Sequence, residues 1–337
     1  MTKTKQIFIV GSSRSGTTMM GRILGNHPNV FTFKEIHFFG TIWTNQTTKV
    51  LDKIEQINLL SRLLCIQENG LFHQDNISDF NERANILLEG RNMSSPLSVY
   101  ELFLTEISSD NKCEIACEQT PKNMYYLSEI LKYFPEAKVI NMVRDQRDVL
   151  LSQKNKWKRR FLGASKIPLL EAFRSFVNYH PILTAKVWNS SLLHTSMFLN
   201  EKRVKVVKFE DILANAEGEV KGICAFLDID FQFEMLNVPV VGSSTEKDIK
   251  TARLIDGSKI EKWKKGGLNN AEIYLSQLMA KKSMLAFNYK LRNFSFPPIL
   301  VLYYLMVFPV KIGIAFLLNI RRMGSIVEVI RKRFFIK

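Results

Sequence analysis

The stretch "IFIVGSSRSGTTMMGRIL", residues 7–24, decides the fold class of this chain. It begins with a short apolar run that ends in a Gly/Ser-rich segment, after which apolar residues recur at helical spacing. This order predicts a strand, a phosphate-binding loop and a helix. The usual phosphate loop has a lysine directly before its last hydroxyl residue. Here Thr17 stands at that position, and Arg14 lies inside the loop.

The loop predicts an anion-binding site at the start of a helix. Backbone N–H groups and the helix dipole attract an anion there, and these groups belong to Ser15, Gly16, Thr17 and Thr18. Without the lysine, a nucleoside triphosphate and its Mg²⁺ are poorly accommodated. A single 5′-phosphate that carries one further anionic group fits better, with Arg14 as the cation.

Other parts of the chain predict alternating strands and helices. Strands are predicted at 30–35, 112–120, 137–143 and 202–211, and helices at 121–134 and 148–158. Residues 44–111 are predicted to be mostly helical. This alternation predicts an α/β fold, a P-loop-containing three-layer sandwich with helices on both faces of a central parallel sheet.

The predicted sheet brings several polar residues to one edge. Ligands of such sheets bind at the carboxyl ends of the strands. The residues that follow predicted strands are Ser12–Thr18, Lys34, Glu35, Thr120–Lys122, Arg144, Asp145, Glu210 and Asp211. We therefore expect the functional site to be built from this set.

Two motifs resemble the donor-binding motifs of the sulfotransferases that use 3′-phosphoadenosine 5′-phosphosulfate (PAPS). The first is "GSSRSGTT" at 11–18, which is similar to the family's 5′-phosphosulfate loop. The second is "VRDQRDVLLS" at 143–152, in which Arg144 and Ser152 can hold the 3′-phosphate. Further similar segments lie at 33–39, 118–140, 207–231 and 259–273.

The resemblance covers roughly residues 5–290 and implies a domain organisation. It predicts a catalytic domain at 1–290 and a hydrophobic, basic, helical tail at 291–337. The segment "FKEIHFF" at 33–39 looks like the acidic, aromatic segment of carbohydrate and protein-tyrosine members, and the chain as a whole looks closest to carbohydrate and bacterial-type members. Carbohydrate or glycolipid is accordingly the acceptor that it implies.

The resemblance also implies the roles of individual residues. Glu35 would take the proton of the acceptor, with His37 as the second candidate base. Arg14 would stabilise the charge that develops during transfer of the sulfuryl group, and no metal is required. Lys262, in the late segment "KIEKWKKGGLNNAEI", would contact PAPS.

The chain departs from the family pattern at three positions. Gln119 stands where the family often has a lysine before Thr-Pro, and Lys122 or Lys34 is a candidate substitute. Phe209 stands where a tyrosine near adenine is common, and Glu261 where the late segment usually has glycine.

The tail predicts an association with membranes. Between 299 and 320 the chain is mostly apolar, and 291–337 holds eight Lys/Arg and one acidic residue. A hairpin that turns near Pro309, or a pair of interfacial helices, would bring these basic residues to an anionic leaflet. The first predicted strand starts close to Met1, which leaves no room for a signal peptide and predicts a cytoplasmic protein.

The net charge of +15 predicts anionic partners. Nucleic acid is not an expected partner, because the basic residues lack an interleaved aromatic platform. Two alternatives to a sulfotransferase stay open at this point. One is an ATP-dependent small-molecule kinase on a P-loop fold, and the other is a non-catalytic nucleotide-binding membrane protein.

Overall fold

Five parallel strands form the centre of the fold. The computed structural model describes residues 4–44, 50–240, 243–255, 257–320 and 331. Within them the strands lie in the order β2-β3-β1-β4-β5, with β1 in the middle. Their bounds are β1 Lys5–Gly11, β2 Val30–Thr32, β3 Ile115–Glu118, β4 Lys138–Val143 and β5 Val204–Lys208.

Helices and a small antiparallel pair of strands surround this sheet. The helices are α1 Thr17–Gly25, α2 Lys53–Asn69, α3 Asn81–Leu87, α4 Pro96–Asp110, α5 Leu127–Tyr133, α6 Gln146–Lys154, α7 Leu169–Val177, α8 Pro181–Ser196, α9 Phe209–Ala214, α10 Ala216–Leu227, α11 Asn270–Ala286 and α12 Leu300–Asn319. The small pair consists of β6 Asn237–Val240 and β7 Ile249–Leu254. The predicted helical character of 44–111 is confirmed by α2, α3 and α4.

The side chains of β1 alternate between two hydrophobic cores. Ile7 and Ile9 pack into a core that includes residues of α1, α9 and α10. Phe8 and Val10 point the other way, into a core that includes residues of α2, α3, α4 and α5. This alternation is the period of two that a strand covered on both faces requires. The predicted three-layer α/β fold with a central parallel sheet is therefore confirmed.

The strand predicted at 112–120 is shortened to Ile115–Glu118, and two further strands end earlier than the sequence pattern indicated. The strand predicted at 30–35 ends at Thr32, because Phe33 and Ile36 turn into the core beside α2 and α4. The strand predicted at 202–211 ends at Lys208, and Phe209 begins α9. In both cases the apolar residues pack into a core from a loop or a helix rather than from a strand.

The predicted helix at 148–158 is divided in two. It starts earlier than predicted, and α6 ends at Lys154, after which Lys156–Leu162 forms a 3₁₀ turn. Asn155 is the C-cap of α6, and its backbone N–H donates to the Leu151 carbonyl. The change of helix type redirects the basic residues that follow α6.

Leu300–Asn319 of the hydrophobic tail forms one helix, so the predicted hairpin near Pro309 is wrong. α12 continues through Pro309, although an interior proline costs about 3 kcal/mol. Contacts on both sides of Pro309 hold the helix to the rest of the chain. His180 Nε2 lies 3.0 Å from the Tyr304 carbonyl oxygen, and Asn319 contacts the region after α7.

α12 is long and apolar enough to cross a membrane by length and composition. Ala315 is the one residue of α12 that is buried within the described part of the chain, and many of its apolar side chains are exposed. The basic residues predicted to contact an anionic leaflet lie mostly outside the described residues, at 321–330 and 332–337.

Candidate active site

The loop between β1 and α1 has the geometry that its sequence requires. Gly16 lies at φ 98°, and a Cβ there would meet the Phe209 ring at 2.4 Å, so only glycine is accommodated. Arg14 also has a positive φ, 76°, which is uncommon for a side chain of this size. Such backbone strain is found mostly at functional sites.

Arg14 joins the two predicted donor-binding motifs. Its Nε donates to Ser152 Oγ at 2.9 Å, and its Nη2 donates to Ser244 Oγ at the same distance. The motifs meet because β1 and β4 are paired with Gly11 opposite Met142, so both strands end side by side. The predicted residues Arg14 and Ser152 are therefore in direct contact.

Arg144 lies beside the same loop. Its guanidinium stacks on the Phe209 ring, with 4.3 Å between Cζ and the ring centroid, and donates to the Arg14 carbonyl at 3.3 Å. The backbone carbonyl of Arg144 accepts a hydrogen bond from Trp188 Nε1. Phe209 thus fixes both Gly16 and Arg144, although it lacks the hydroxyl of a tyrosine.

These residues line a cavity of about 320 Å³. Among the described residues, cationic side chains that line the cavity outnumber acidic ones. The charged residues of the lining are Arg14, Arg22, Arg144, Lys156, Arg159, Lys259, Lys262, Glu35, Asp148 and Glu171. Burial, together with the charges of Arg159 and Arg144, lowers the pKa of Arg14. An anionic ligand would relieve this repulsion.

Unsatisfied donors support the fit of a phosphate-bearing ligand. Among the residues that the structure describes, the buried Nε atoms of Arg144 and Arg159 and the buried Ser15 hydroxyl have no hydrogen-bond partner. Such groups are costly unless a ligand or water satisfies them. Donors of this kind, with the N–H groups at the start of α1, suit a ligand that carries two anionic groups.

Lys262 reaches the cavity as the resemblance implied. Its Nζ forms an ion pair with Glu246, whose other carboxylate oxygen lies 3.9 Å from Lys259 Nζ. Glu246 is therefore an acidic partner of two lysines that line the cavity, Lys259 and Lys262.

Glu35 lines the same cavity and forms a pair with His37. The Glu35 carboxylate lies 3.2 Å from His37 Nε2. Burial raises the pKa of Glu35, but the His37 hydrogen bond and the charges of Lys156 and Arg159 outweigh burial and lower its pKa below the ordinary value. Burial lowers the pKa of His37. At neutral pH the site thus holds a carboxylate next to a neutral imidazole.

Glu118, at the end of β3, fixes the segment that carries this pair. Its carboxylate accepts hydrogen bonds from the Ile36 and Thr120 backbone N–H groups and from Asn123 Nδ2. The Thr120 hydroxyl donates to the same carboxylate and accepts from the His37 backbone N–H. These bonds hold His37 at a φ of 55°, a left-handed conformation. Burial raises the pKa of Glu118 to about 7.

The lysines proposed as substitutes at position 119 do not line the cavity. Lys122 is exposed, and its charge reaches His37, whose pKa it lowers further. Lys34 is also exposed, and its Nζ donates to the Glu68 carbonyl. Gln119 lies against Gly21 of α1 and donates to the Phe33 carbonyl.

Two cations that the sequence did not single out occupy this part of the cavity. Lys156 and Arg159 belong to the 3₁₀ turn after α6 and line the cavity together with Arg14 and Glu35. Burial and the charge of Arg14 lower the pKa of Lys156 to about 8. The basic run "KNKWKRR" directly after the second motif was a signal, but it gave no indication of which side chains turn inward.

A family model described as a sulfotransferase family matches residues 6–233, more than half of the chain. The chain belongs to the sulfotransferase family. The match confirms the predicted family, the predicted class of enzyme and PAPS as the family's donor.

Two solved structures share the fold of this sulfotransferase. The sulfotransferase domain from the curacin biosynthetic pathway is 20% identical, with a TM-score of 0.51, over 85% of this chain and 98% of that one. The sulfotransferase domain from the Synechococcus PCC 7002 olefin synthase is 21% identical, with a TM-score of 0.50, over 86% of this chain and 96% of that one.

A curated relative matches only part of this sulfotransferase. It is an uncharacterized protein of Aquifex aeolicus (strain VF5), 29% identical over 150 residues. The match covers 44% of this chain and 16% of the relative's length.

Proposed function

We propose that this chain transfers a sulfuryl group from PAPS to a hydroxyl or amine of a carbohydrate or glycolipid acceptor. The observation that carries the proposal is the convergence of both donor-binding motifs and an ionised carboxylate in one cavity. Arg14, Arg144, Ser152 and Glu35 all line this cavity. We call the part formed by the first three residues the donor end and the part around Glu35 the acceptor end. In this in-line transfer the acceptor oxygen or nitrogen would form a bond to sulfur while the bond between sulfur and the 5′-phosphate oxygen of PAPS breaks. Adenosine 3′,5′-bisphosphate would leave, and Glu35 would take the acceptor proton.

The donor end would hold two separate phosphate groups. The N–H groups of residues 15–18 and the Arg14 guanidinium would bind the 5′-phosphosulfate. Arg144, through its unsatisfied Nε, and the Ser152 hydroxyl would bind the 3′-phosphate. Lys262 would join them once it leaves Glu246.

The acceptor end would remove a proton and balance charge. Glu35 is ionised at neutral pH and is the base of this proposal, with neutral His37 orienting its carboxylate. Lys156 takes the place of the lysine that is missing at Gln119, because it lines the cavity with both Arg14 and Glu35. Its ammonium would stabilise negative charge on the sulfuryl oxygens.

Calorimetry with adenosine 3′,5′-bisphosphate tests the donor. We expect this ligand to bind more tightly than ATP·Mg²⁺ and to bind at least tenfold more weakly to Arg144→Ala, since an ionic hydrogen bond contributes about 1.5–3 kcal/mol. Arg83→Ala, which removes only an exposed ion pair with Asp110, is the matched control. A preference for ATP·Mg²⁺ that Arg144→Ala leaves unchanged would favour the kinase instead.

Labelled PAPS tests the acceptor. The full-length protein would be incubated with panels of oligosaccharides, glycolipids and phenols, and label transfer would be measured. We expect transfer to the sugar hydroxyls of the first two panels. Transfer to phenols alone would contradict the proposed acceptor class.

Attachment to the cytoplasmic leaflet of a membrane through residues 299–337 is part of the same proposal. It is supported by the exposed apolar surface of α12 and by the basic residues that follow it in the sequence. Without detergent, the full-length protein should float with liposomes. Recovery of all of it in the liposome-free fraction would contradict the attachment.

A further inference from the structure

α7 presents two different faces. Glu171, Ala172 and Ser175 line the cavity near Glu35. Positions 169, 170, 173 and 176 carry leucine or phenylalanine, and each of these side chains is more than half exposed. One short helix therefore separates the cavity from an apolar outer surface.

The outer face of α7 continues into neighbouring elements. Phe176 contacts the Trp157 ring, with 6.0 Å between ring centroids, and Trp157 contacts Phe161. On the other side, Lys311 of α12 lies 5.1 Å from the centroid of the Phe176 ring. We call the six residues of this surface the apolar platform: Trp157, Phe161, Leu169, Leu170, Phe173 and Phe176.

Several cations lie beside the apolar platform or near it in the sequence. Lys158 and Lys166 are exposed, and Arg160 lies between them in the chain. Lys158 Nζ lies 5.7 Å from the centroid of the Trp157 ring. Aromatic rings interleaved with lysine and arginine are typical of segments that rest in the headgroup region of an anionic membrane.

The exposed apolar surface of α12 also indicates that a membrane covers this side of the molecule. α12 is apolar all round and has many exposed apolar side chains, which need a nonpolar environment that the described chain does not supply. It packs directly beside α7, so a bilayer that covers α12 would also reach the apolar platform. The acyl chains of an anionic bilayer would cover the apolar platform, and its headgroups would pair with the nearby cations.

We propose that the apolar platform lies on an anionic membrane together with α12, and that the acceptor end of the cavity opens at the lipid surface. The acceptor is then a membrane lipid whose headgroup reaches Glu35 past α7. The acceptor class rests on the proposed reaction. The contact of the platform with the membrane rests on the proposed attachment of α12 but not on the reaction. Phe72 and Ile167 line the same end of the cavity and supply an apolar border there.

Fluorescence of Trp157 tests this contact. The other tryptophans, Trp43, Trp188 and Trp263, are at most 6% exposed, so Trp157 is the one placed to meet lipid. The full-length protein would be mixed with vesicles of phosphatidylcholine and phosphatidylglycerol that contain brominated chains. We expect quenching of its emission, less quenching without phosphatidylglycerol, and loss of the quenched component in Trp157→Phe.

Variants of α7 give a second readout. Leu169→Asn combined with Phe173→Asn should weaken vesicle binding about tenfold or more, because two apolar side chains leave the lipid. Ile86→Asn, at an equally exposed apolar position on α3, should bind as the native protein does.

Two results would overturn the proposal. Vesicle binding without quenching of Trp157 would mean that α12 alone contacts the membrane. Absence of vesicle binding, with a dimer in solution, would mean that a second copy covers the platform. Neither readout uses PAPS or enzyme activity, so failure of this proposal is distinguishable from failure of the proposed reaction.

Discussion

The two ends of the cavity are built in different ways. The donor end consists of short motifs that directly follow β1 and β4, two neighbouring strands at the centre of the sheet. The acceptor end combines a loop after the edge strand β2, a 3₁₀ turn and α7, which are distant in sequence. A strand end fixes the position of the next few residues, whereas a loop depends on what packs against it. Substitutions at the two ends should therefore have separable effects.

Glu35→Gln should have the largest effect and should be confined to the acceptor end. Loss of a general base lowers kcat by roughly 10²–10⁴-fold. Binding of adenosine 3′,5′-bisphosphate should stay unchanged, as measured by calorimetry. Glu217→Gln, in an exposed ion pair with Lys221, is the control. A parallel loss of bisphosphate affinity would show that the two ends are not separate.

Lys156→Ala should lower kcat by about 10²-fold, the usual cost of removing one group that stabilises developing charge. Since the pKa of Lys156 is lowered to about 8, the ammonium loses its proton as pH rises through that value, and kcat/KM should fall there. Lys156→Arg should retain activity and move the fall to higher pH.

Lys186→Ala, at an exposed position on α8, is the control for Lys156. An unchanged pH profile in Lys156→Arg would mean that another group causes the alkaline fall and would remove Lys156 from the proposed mechanism.

Gly16→Ala should damage the donor end and stability together. The positive φ and the approach of the Phe209 ring make a Cβ costly, by roughly 1–3 kcal/mol in the free energy of unfolding. Urea unfolding measures this loss, and calorimetry should show weaker bisphosphate binding. Gly222→Ala in α10, where a Cβ meets nothing within 4 Å, should be neutral or slightly stabilising. Equal effects of both substitutions would contradict the role of Phe209.

Glu246→Gln should have the smallest effect, in the opposite direction. It frees Lys262 and Lys259 from an acidic partner, so bisphosphate binding should tighten by a few-fold, as one weak ion pair contributes about 0.2–1 kcal/mol. Glu261→Gln, which pairs with Lys264 instead, should leave the affinity unchanged. Weaker binding in Glu246→Gln would mean that Glu246 positions the two lysines for the ligand rather than competing with the ligand for them.

The sequence predicted the sheet well, and it singled out the residues after β1 and β4 that the structure brings together. The apolar run before residue 11 and the Arg144/Ser152 spacing are local patterns, and parallel strands bring such patterns together. The acceptor end was less predictable. The strand was predicted to continue to Glu35. Glu118 and Thr120, far away in sequence, accept hydrogen bonds from the Ile36 and His37 N–H groups and hold the segment after β2 as a loop.

The inward position of Lys156 and Arg159 depends on tertiary structure. α6 ends at Lys154, and the next residues continue as a 3₁₀ turn, a change that the pattern of charges alone does not reveal. The hairpin predicted near Pro309 failed for a related reason. The propensity of proline to break a helix is a local rule, and tertiary contacts of α12 outweigh it.

The contacts of Arg14 with two serine hydroxyls bear on how the enzyme tolerates common inorganic anions. Orthophosphate or sulfate would have to replace both hydroxyls at one guanidinium and would gain nothing at Arg144. A molecule with two anionic ends can exchange those bonds and satisfy the second arginine as well. The two serines therefore favour ligands with two anionic groups over small inorganic anions. Orthophosphate should inhibit only weakly in a competition titration against adenosine 3′,5′-bisphosphate.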